Sequence, residues 1–377
     1  MRYFLIAGEA SGDLHASELI RAIKDCDPEA SFRFLGGDMM AEAAGVQPVV
    51  HYKKMAYMGF VDVLMHLRSV LGNLDAAKKS LKDFSPDALV LIDYPSFNLR
   101  VAKYAVSLGI PVYYYISPKV WAWKEHRVKE IKKLVKRMFC ILPFEVDFYK
   151  TRHDYDVTYV GNPSLNEVDR KLSQIVSKEE FFKANKLSDK PIIALVPGSR
   201  ISEIKTNLPY MIGAAKNFDS DYQSVIAAAP GVDEDIYEKI APGVPRLSGQ
   251  TFELMRYASA ALVTSGTATL EAALLGTPQV VAYRAVGSKL VYNFFKKILK
   301  VKFVSLPNLI CGREIVKELL LHLCTIESLS DALSAILPGG IHHSDLLADY
   351  AALRTLLGTN NAPKTAAQII CLELQNM

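Results

Sequence analysis

The sequence predicts an α/β protein of two Rossmann-like domains, each a doubly wound parallel sheet, and three observations carry that expectation. Short runs rich in Val, Ile and Tyr alternate with helix-length amphipathic segments, the pattern of βαβ units with helices on both faces of a sheet. These runs fall into two series, separated near 161 to 190 by a polar stretch that begins GNPSLNEVDRKLSQIVSKEE. The length, 377 residues, exceeds one ordinary core and suggests about two domains.

The first series runs YFLIAG at 3 to 8, FRFLG at 32 to 36, ALVLID at 88 to 93, PVYYYIS at 111 to 117 and MFCIL at 138 to 142. After the polar stretch, whose Gly-Asn-Pro opening is a turn signal, come IIALVPG at 192 to 198, SVIAAAP at 224 to 230, AALVTSG at 260 to 266 and QVVAY at 279 to 283. From about Asp345 the pattern is helical and ends without a strand. The expected layout is an N-terminal domain over 1 to 165, a second domain over 166 to 345, and a tail over 346 to 377 that packs back on the first half.

Composition removes several classes. Half the residues are hydrophobic, yet the longest apolar runs are about ten residues, short of the roughly 20 that span a bilayer. The N-terminus, MRYFLIAGEASGD, turns Gly-rich and acidic where a signal peptide would continue to a cleavage site, so a cytoplasmic location is expected. The five cysteines are scattered and lack C-x-x-C spacing, which supports neither a disulfide framework nor a zinc site. The net charge of +4 is modest and no recognised nucleic-acid module is present. Charge is uneven, however. Residues 119 to 137 hold eight Lys or Arg against Glu125 and Glu130, which reads as a solvated helix face or as a surface for an anionic partner.

In open parallel sheets ligands bind beyond the carboxyl ends of the strands, so the strand-to-helix turns are informative. In AGEASGDLHASELI, at 7 to 20, Gly8 and Gly12 fit neither dinucleotide nor Walker spacing. A plain turn with Asp13 as helix N-cap is expected there, and Glu9 is the residue such a turn does not need. In LVLIDYPSFN, at 89 to 98, Asp93 follows an apolar strand and Pro95 restricts the next helix. Asp93 is placed either to take a proton from a bound hydroxyl or to cap the helix near Asn98. In LVPGSRISEI, at 195 to 204, Ser199 and Arg200 suit phosphate oxygens, with an interdomain ion pair as the alternative.

The fourth turn is SGTATLEAALLGTP, at 265 to 278. The N–H groups of Ser265, Gly266 and Thr267 would face an anion at a helix N-terminus, and Glu271 stands about a turn further, where ribose hydroxyls would lie. The same letters also make a good buried helix with Gly276 as its C-cap.

Together these turns resemble the bacterial lipid-A-disaccharide synthase family, glycosyltransferases of the B-type fold (GT-B), whose two Rossmann-like domains face each other across a cleft. The resemblance is carried by AGEASGD, MGFVDVL (58 to 64), IDYPSFN, ISPKVWAW (116 to 123), LPFE (142 to 145), PGSR, SGTATLE and VSLPNLICGREIVKELL (304 to 320), in family order. It implies transfer of 2,3-diacylglucosamine from its UDP ester to 2,3-diacylglucosamine 1-phosphate, an inverting reaction; no D-x-D-type metal site is evident near these turns, and no cofactor is expected. It implies catalytic roles at Asp93, Arg200 and Asn308. UDP-sugar contacts are then expected from Ser199, Arg200, Ser265, Gly266, Thr267 and Glu271, and acceptor contacts from Glu9, Ser11, Asn98 and Trp121. Three positions depart from the family pattern: Ser96 for a second acid, Lys119 for a serine and Asn162 for a histidine.

Acylated substrates imply peripheral contact with the inner membrane. KLVYNFFKKILKVKF, at 289 to 303, interleaves aromatic residues with lysines, so Phe294, Phe295, Lys296, Lys297 and Lys300 are the expected contacts, or else the face of an ordinary packed helix. MGFVDVLMHLRSVL, at 58 to 71, is a second candidate. No nucleic-acid partner is expected, and a homodimer is allowed without being fixed by any residue. A UDP-N-acetylglucosamine 2-epimerase or a soluble glycosyltransferase on the same fold is the competing activity, and a non-catalytic nucleotide-sugar module the competing class.

Overall fold

A computed structural model describes residues 1–55, 67–284 and 302–377. Phe294, Phe295, Lys296, Lys297 and Lys300 lie outside the described residues, as does most of the 58 to 71 segment. The chain divides into two compact units, Met1–Pro163 with Thr359–Met377, and Ser164–Gly358.

In the first unit the strands are β1 (Arg2–Ala7), β2 (Ser31–Gly36), β3 (Val50–His51), β4 (Ala88–Ile92), β5 (Val112–Tyr115), β6 (Arg137–Cys140) and β7 (Thr158–Tyr159). They pair in the order β3-β2-β1-β4-β5-β6-β7, all parallel. The helices are α1 (Ala10–Cys26), α2 (Asp38–Ala44), α3 (Leu67–Phe84), α4 (Pro95–Ser107), α5 (Val128–Leu134) and α6 (Phe144–His153). The strands are apolar on both faces because helices cover both. Tyr3, Leu5 and Ala7 enter one core with α1, while Phe4 and Ile6 enter the other with α3 and α4.

The second unit holds α7 (Pro163–Leu172), α8 (Lys178–Ala184), β8 (Ile192–Val196), α9 (Ile201–Ala215), β9 (Gln223–Ala228), α10 (Glu234–Ile240), β10 (Arg246–Ser248) and α11 (Thr251–Tyr257). Then follow β11 (Ala258–Val263), α12 (Thr267–Leu275), β12 (Gln279–Tyr283), α13 (Leu306–Cys311), β13 (Lys317–Leu320), α14 (Ile326–Ile336) and α15 (His343–Leu357). The sheet order is β10-β9-β8-β11-β12-β13, again parallel.

The tail splits. Helix α15 belongs to the second unit, and only α16 (Ala362–Gln375) joins the first. There Ala366, Ile370 and Leu374 complete the core that α1 faces, and Glu373 binds Arg137 at 2.5 Å. No helix among the described residues is long and apolar enough to cross a membrane.

Both sheets reverse strand order once. The reversal lies between β1 and β4 in the first unit and between β8 and β11 in the second. A doubly wound sheet leaves its crevice at that point, beyond the carboxyl ends of the two strands. All four turns singled out in the sequence sit at these two places.

Candidate active site

At the reversal in the first unit, β1 delivers Glu9 and β4 delivers Asp93. Asp93 and Tyr94 both have positive φ, 40° and 47°, because the chain must turn in two residues before Pro95 opens α4. Such a conformation costs non-glycine residues roughly 1–3 kcal/mol each and needs external support. The Asp93 carbonyl accepts hydrogen bonds from Tyr114 Oη at 2.6 Å and Asn98 Nδ2 at 2.7 Å. Tyr94 Oη donates to the Met55 carbonyl at 2.8 Å, and the Tyr94 ring lies 2.4 Å from where a Cβ on Gly8 would be. Gly8 is therefore the space into which the strained turn folds.

With its backbone fixed, the Asp93 carboxyl is left facing a cavity of about 980 Å³ that Glu9, Ser96, Trp123, Lys124 and Arg127 also line. Burial raises its pKa above the ordinary value, while Lys119 and the Tyr94 N–H pull the other way. Lys119, a departure from the family pattern, thus acts electrostatically on Asp93.

The other expected acceptor residues take different places. Asn98 is fully buried, and its Nδ2 also donates to the Ile92 carbonyl at 3.2 Å, so it holds the turn's backbone. Ser11 is exposed on the first turn of α1 and is not among the cavity-lining residues. Trp121 is buried, with Nε1 donating to Glu145 at 3.0 Å, whereas Trp123 is 54% exposed and lines the cavity. The Glu145 carboxylate, buried to 1%, also accepts from Ser117 Oγ at 2.7 Å and the Leu142 N–H at 3.1 Å. Burial lifts its pKa to about 7. This node ties the loop after β5, which carries Lys119 and Trp123, to the start of α6. Asp13 is not the N-cap of its own helix. It accepts from the N–H groups of Gly37 at 2.6 Å and Met39 at 3.1 Å and so caps α2, because α1 and α2 start side by side at the same sheet edge.

In the second unit the two turns at the reversal differ. At the start of α9, the Glu203 carboxylate accepts from the N–H groups of Ser199 at 3.2 Å and Arg200 at 3.3 Å. That helix end is capped from within, and the Arg200 guanidinium is 3.5 Å from Glu203 and 61% exposed. At the start of α12, by contrast, the N-cap is Gly266, which has no side chain to cap with, and among the described residues no side-chain cap is seen. Gly266 there has φ 155° and ψ −163°, a region open essentially to glycine, and a Cβ on it would meet nothing within 4 Å. Gly266 and Thr267 are exposed and Ser265 is half-buried. Uncapped N–H groups at a helix N-terminus bind anions through aligned donors and the helix dipole.

One turn on, Glu271 is half-buried. Burial, and then the nearby Glu167 carboxylate of α7, push its pKa to about 7. Glu167 carried no signal in the sequence because its neighbour stands a hundred residues away.

Asn308 is fully buried and fully engaged. Its Oδ1 accepts from the N–H groups of Ile315 at 2.7 Å and Val316 at 2.9 Å, and its Nδ2 donates to the Val316 carbonyl at 2.8 Å and to Glu318 at 2.9 Å. Glu318 also accepts from the N–H and Oγ of Ser305, at 2.9 and 2.7 Å. Asn308 and Glu318 thereby clamp the segment 304–308 to β13, and the carbonyl of Val304 in turn lies 3.5 Å from Ser265 Oγ. Asn308 supports the α12 turn from behind.

A family model described as lipid-A-disaccharide synthetase matches residues 3–370. The lipid-A-disaccharide synthase of Myxococcus xanthus is 38% identical over 99% of this chain and 97% of its own length, and that of Geobacter metallireducens 36% identical over 98% and 96%. Among solved structures, a UDP-GlcNAc 2-epimerase from Neisseria meningitidis bound to UDP-GlcNAc has a TM-score of 0.67 at 14% identity, covering 100% of both chains. The calicheamicin glycosyltransferase CalG4 has a TM-score of 0.62 at 16% identity, covering 100% of this chain and 99% of its own. At that identity both share the fold alone.

Proposed function

The chain belongs to the lipid-A-disaccharide synthetase family and is a glycosyltransferase of lipid A biosynthesis; from that premise we propose an inverting transfer between two acylated sugars. The donor is UDP-2,3-diacylglucosamine and the acceptor 2,3-diacylglucosamine 1-phosphate. The products are the β(1→6) disaccharide 1-phosphate and UDP. Asp93 accepts the proton of the acceptor 6-hydroxyl as its oxygen bonds to the anomeric carbon, and the bond to UDP breaks with its electron pair leaving on the diphosphate. Arg200 and the N–H groups at 265 to 267 receive that charge, and Glu271 holds the ribose hydroxyls. Asn98, Asn308 and Glu318 act one step back, by holding the two turns. The acyl chains bring the protein to the inner membrane, with the aromatic and lysine residues of 289 to 303 as the contact.

The observation that carries this reading is the Asp93 carboxyl. It stands at a strained turn at the tip of a central strand, lines a cavity large enough for a sugar, and is made more basic by burial. A base is more effective as its pKa approaches the working pH. Glu203 capping α9, while the α12 N-cap is a glycine and no side-chain cap is seen there among the described residues, favours the latter as the diphosphate site.

The test is product mass from the two lipids, with Asp93→Asn alongside the wild type. Asparagine tolerates positive φ, so the turn is retained while the base is lost. The expected drop in turnover is about 10²- to 10⁴-fold with UDP affinity unchanged. Near-normal turnover removes the base assignment. Loss of UDP-GlcNAc without any acceptor would favour an epimerase.

A further inference from the structure

We propose that the Asp93 cavity contains a phosphate-monoester site, formed by Arg127, Lys124 and Arg100, that takes the 1-phosphate of the acceptor. The proposal rests on the reading that this cavity holds the acceptor sugar.

Four cations line the cavity, Arg100, Lys103, Lys124 and Arg127. Only Lys103 has an acid beside it among the described residues, Glu130 at 2.7 Å. Arg127 is oriented instead by a neutral group, with Nη2 donating to Ser96 Oγ at 3.2 Å. Ser96 fixes the guanidinium without cancelling its charge. Lys124 is held with its Nζ 3.9 Å from the centroid of the Trp123 ring, a cation–π contact that locates the ammonium. The Arg127 N–H donates to the Lys124 carbonyl at 3.0 Å, so one turn of 3₁₀ helix presents both side chains together.

Lys124 and Arg127 therefore oppose each other. The Lys124 ammonium is pushed below its usual pKa first by burial and then by the Arg127 charge. An arrangement of like charges is costly until an anion enters, at which point each repulsion is offset by two attractions. A guanidinium fork and an ammonium match the terminal oxygens of a phosphate dianion. The diphosphate of the donor has its own place at α12, so the anion here belongs to the other substrate. Its charge would also raise the Asp93 pKa further, which makes the phosphorylated acceptor assist its own deprotonation.

The experiment compares kcat/KM for the acceptor with and without its 1-phosphate, in neutral detergent, for the wild type, Arg127→Met, Lys124→Met and Arg127→Lys. The wild type should prefer the phosphorylated acceptor. Each Met variant should lose about 10- to 100-fold with that acceptor, the loss expected for one charged hydrogen bond, and little with the dephosphorylated one. Arg127→Lys should recover part of the loss. Both side chains are half-buried, and retained turnover of the dephosphorylated acceptor reports that the first unit, which carries them, is folded. In a second arm on the wild type, glucosamine 1-phosphate should compete with the acceptor and glucosamine should not. Met variants that keep the wild-type preference overturn the proposal. So does an unchanged preference combined with weaker binding to phosphatidylcholine vesicles containing phosphatidylglycerol, which would assign the cations to a lipid headgroup. If wild type joins no sugars at all, the functional reading fails instead.

Discussion

Asn308→Ala separates a supporting role from a chemical one. Asn308 makes four hydrogen bonds from a fully buried amide, two to backbone N–H groups, one to a carbonyl and one to the Glu318 carboxylate. A neutral bond contributes about 0.5–1.5 kcal/mol net and a charged one about 1.5–3 kcal/mol. Water entering beside β13, an edge strand, recovers part of the sum, which leaves about 3 kcal/mol for the substitution. For a unit of this size that lowers the melting temperature by about 6–12 °C. Calorimetry measures the shift, and UDP affinity measured well below it should fall only modestly, since no Asn308 donor is spare. Glu318→Gln should be milder than Asn308→Ala, because its amide oxygen can keep the place of Oε1, which accepts from Asn308 Nδ2 and from Ser305, and only the Oε2 contact with the Val304 N–H is lost. A variant with the wild-type melting temperature and turnover reduced by orders of magnitude would refute the clamp and place Asn308 at the substrate.

Three further outcomes are expected. The Glu271 carboxyl has a pKa of about 7 in the free protein, and ribose hydroxyls donate to its ionised form; UDP affinity, followed by calorimetric titration, should fall as pH drops below about 7, by up to tenfold per unit, stay level above it, and lose this dependence in Glu271→Gln. Trp121→Phe removes the indole donor to buried Glu145 and should destabilise by about 1–3 kcal/mol in urea denaturation, while Trp123→Ala should leave stability within about 0.5 kcal/mol and impair acceptor use. Reversing Lys296, Lys297 and Lys300 to Glu should weaken sedimentation with anionic liposomes while UDP affinity holds; unchanged sedimentation removes that segment from the membrane contact.

Strand-to-helix alternation made both sheets legible in the sequence, since the central strands are apolar over most of their length, Arg33 inside β2 being an interruption. The strands it did not reveal are β3, β7, β10 and β13, two to four residues long and carrying polar letters such as Lys317 and Glu318. Edge strands are short and half-solvated, so neither length nor periodicity marks them. At the site, the turns were readable because small residues and Pro announce them. Their supports were not. Asp13 serves a helix 24 residues on, Glu203 occupies the α9 amides, and Trp123 rather than Trp121 reaches the cavity. Each of these depends on which side chain another element brings near, information that no local pattern holds.

The return of α16 to the first unit has a consequence for the order in which the protein is made. The second unit is an insertion within the first, entered after Pro163 and left after Gly358. The two crossing segments run side by side, with the Asn360 carbonyl 2.4 Å from where a Cβ on Gly161 would stand, and Gly161 at φ 100°. A ribosome therefore finishes the second unit while the unit bearing Asp93 still lacks Ala366, Ile370 and Leu374 from its core. The unit that bears Asp93 is the last to complete its core, so a chain cut before α16 holds a complete second unit and an unfinished first one.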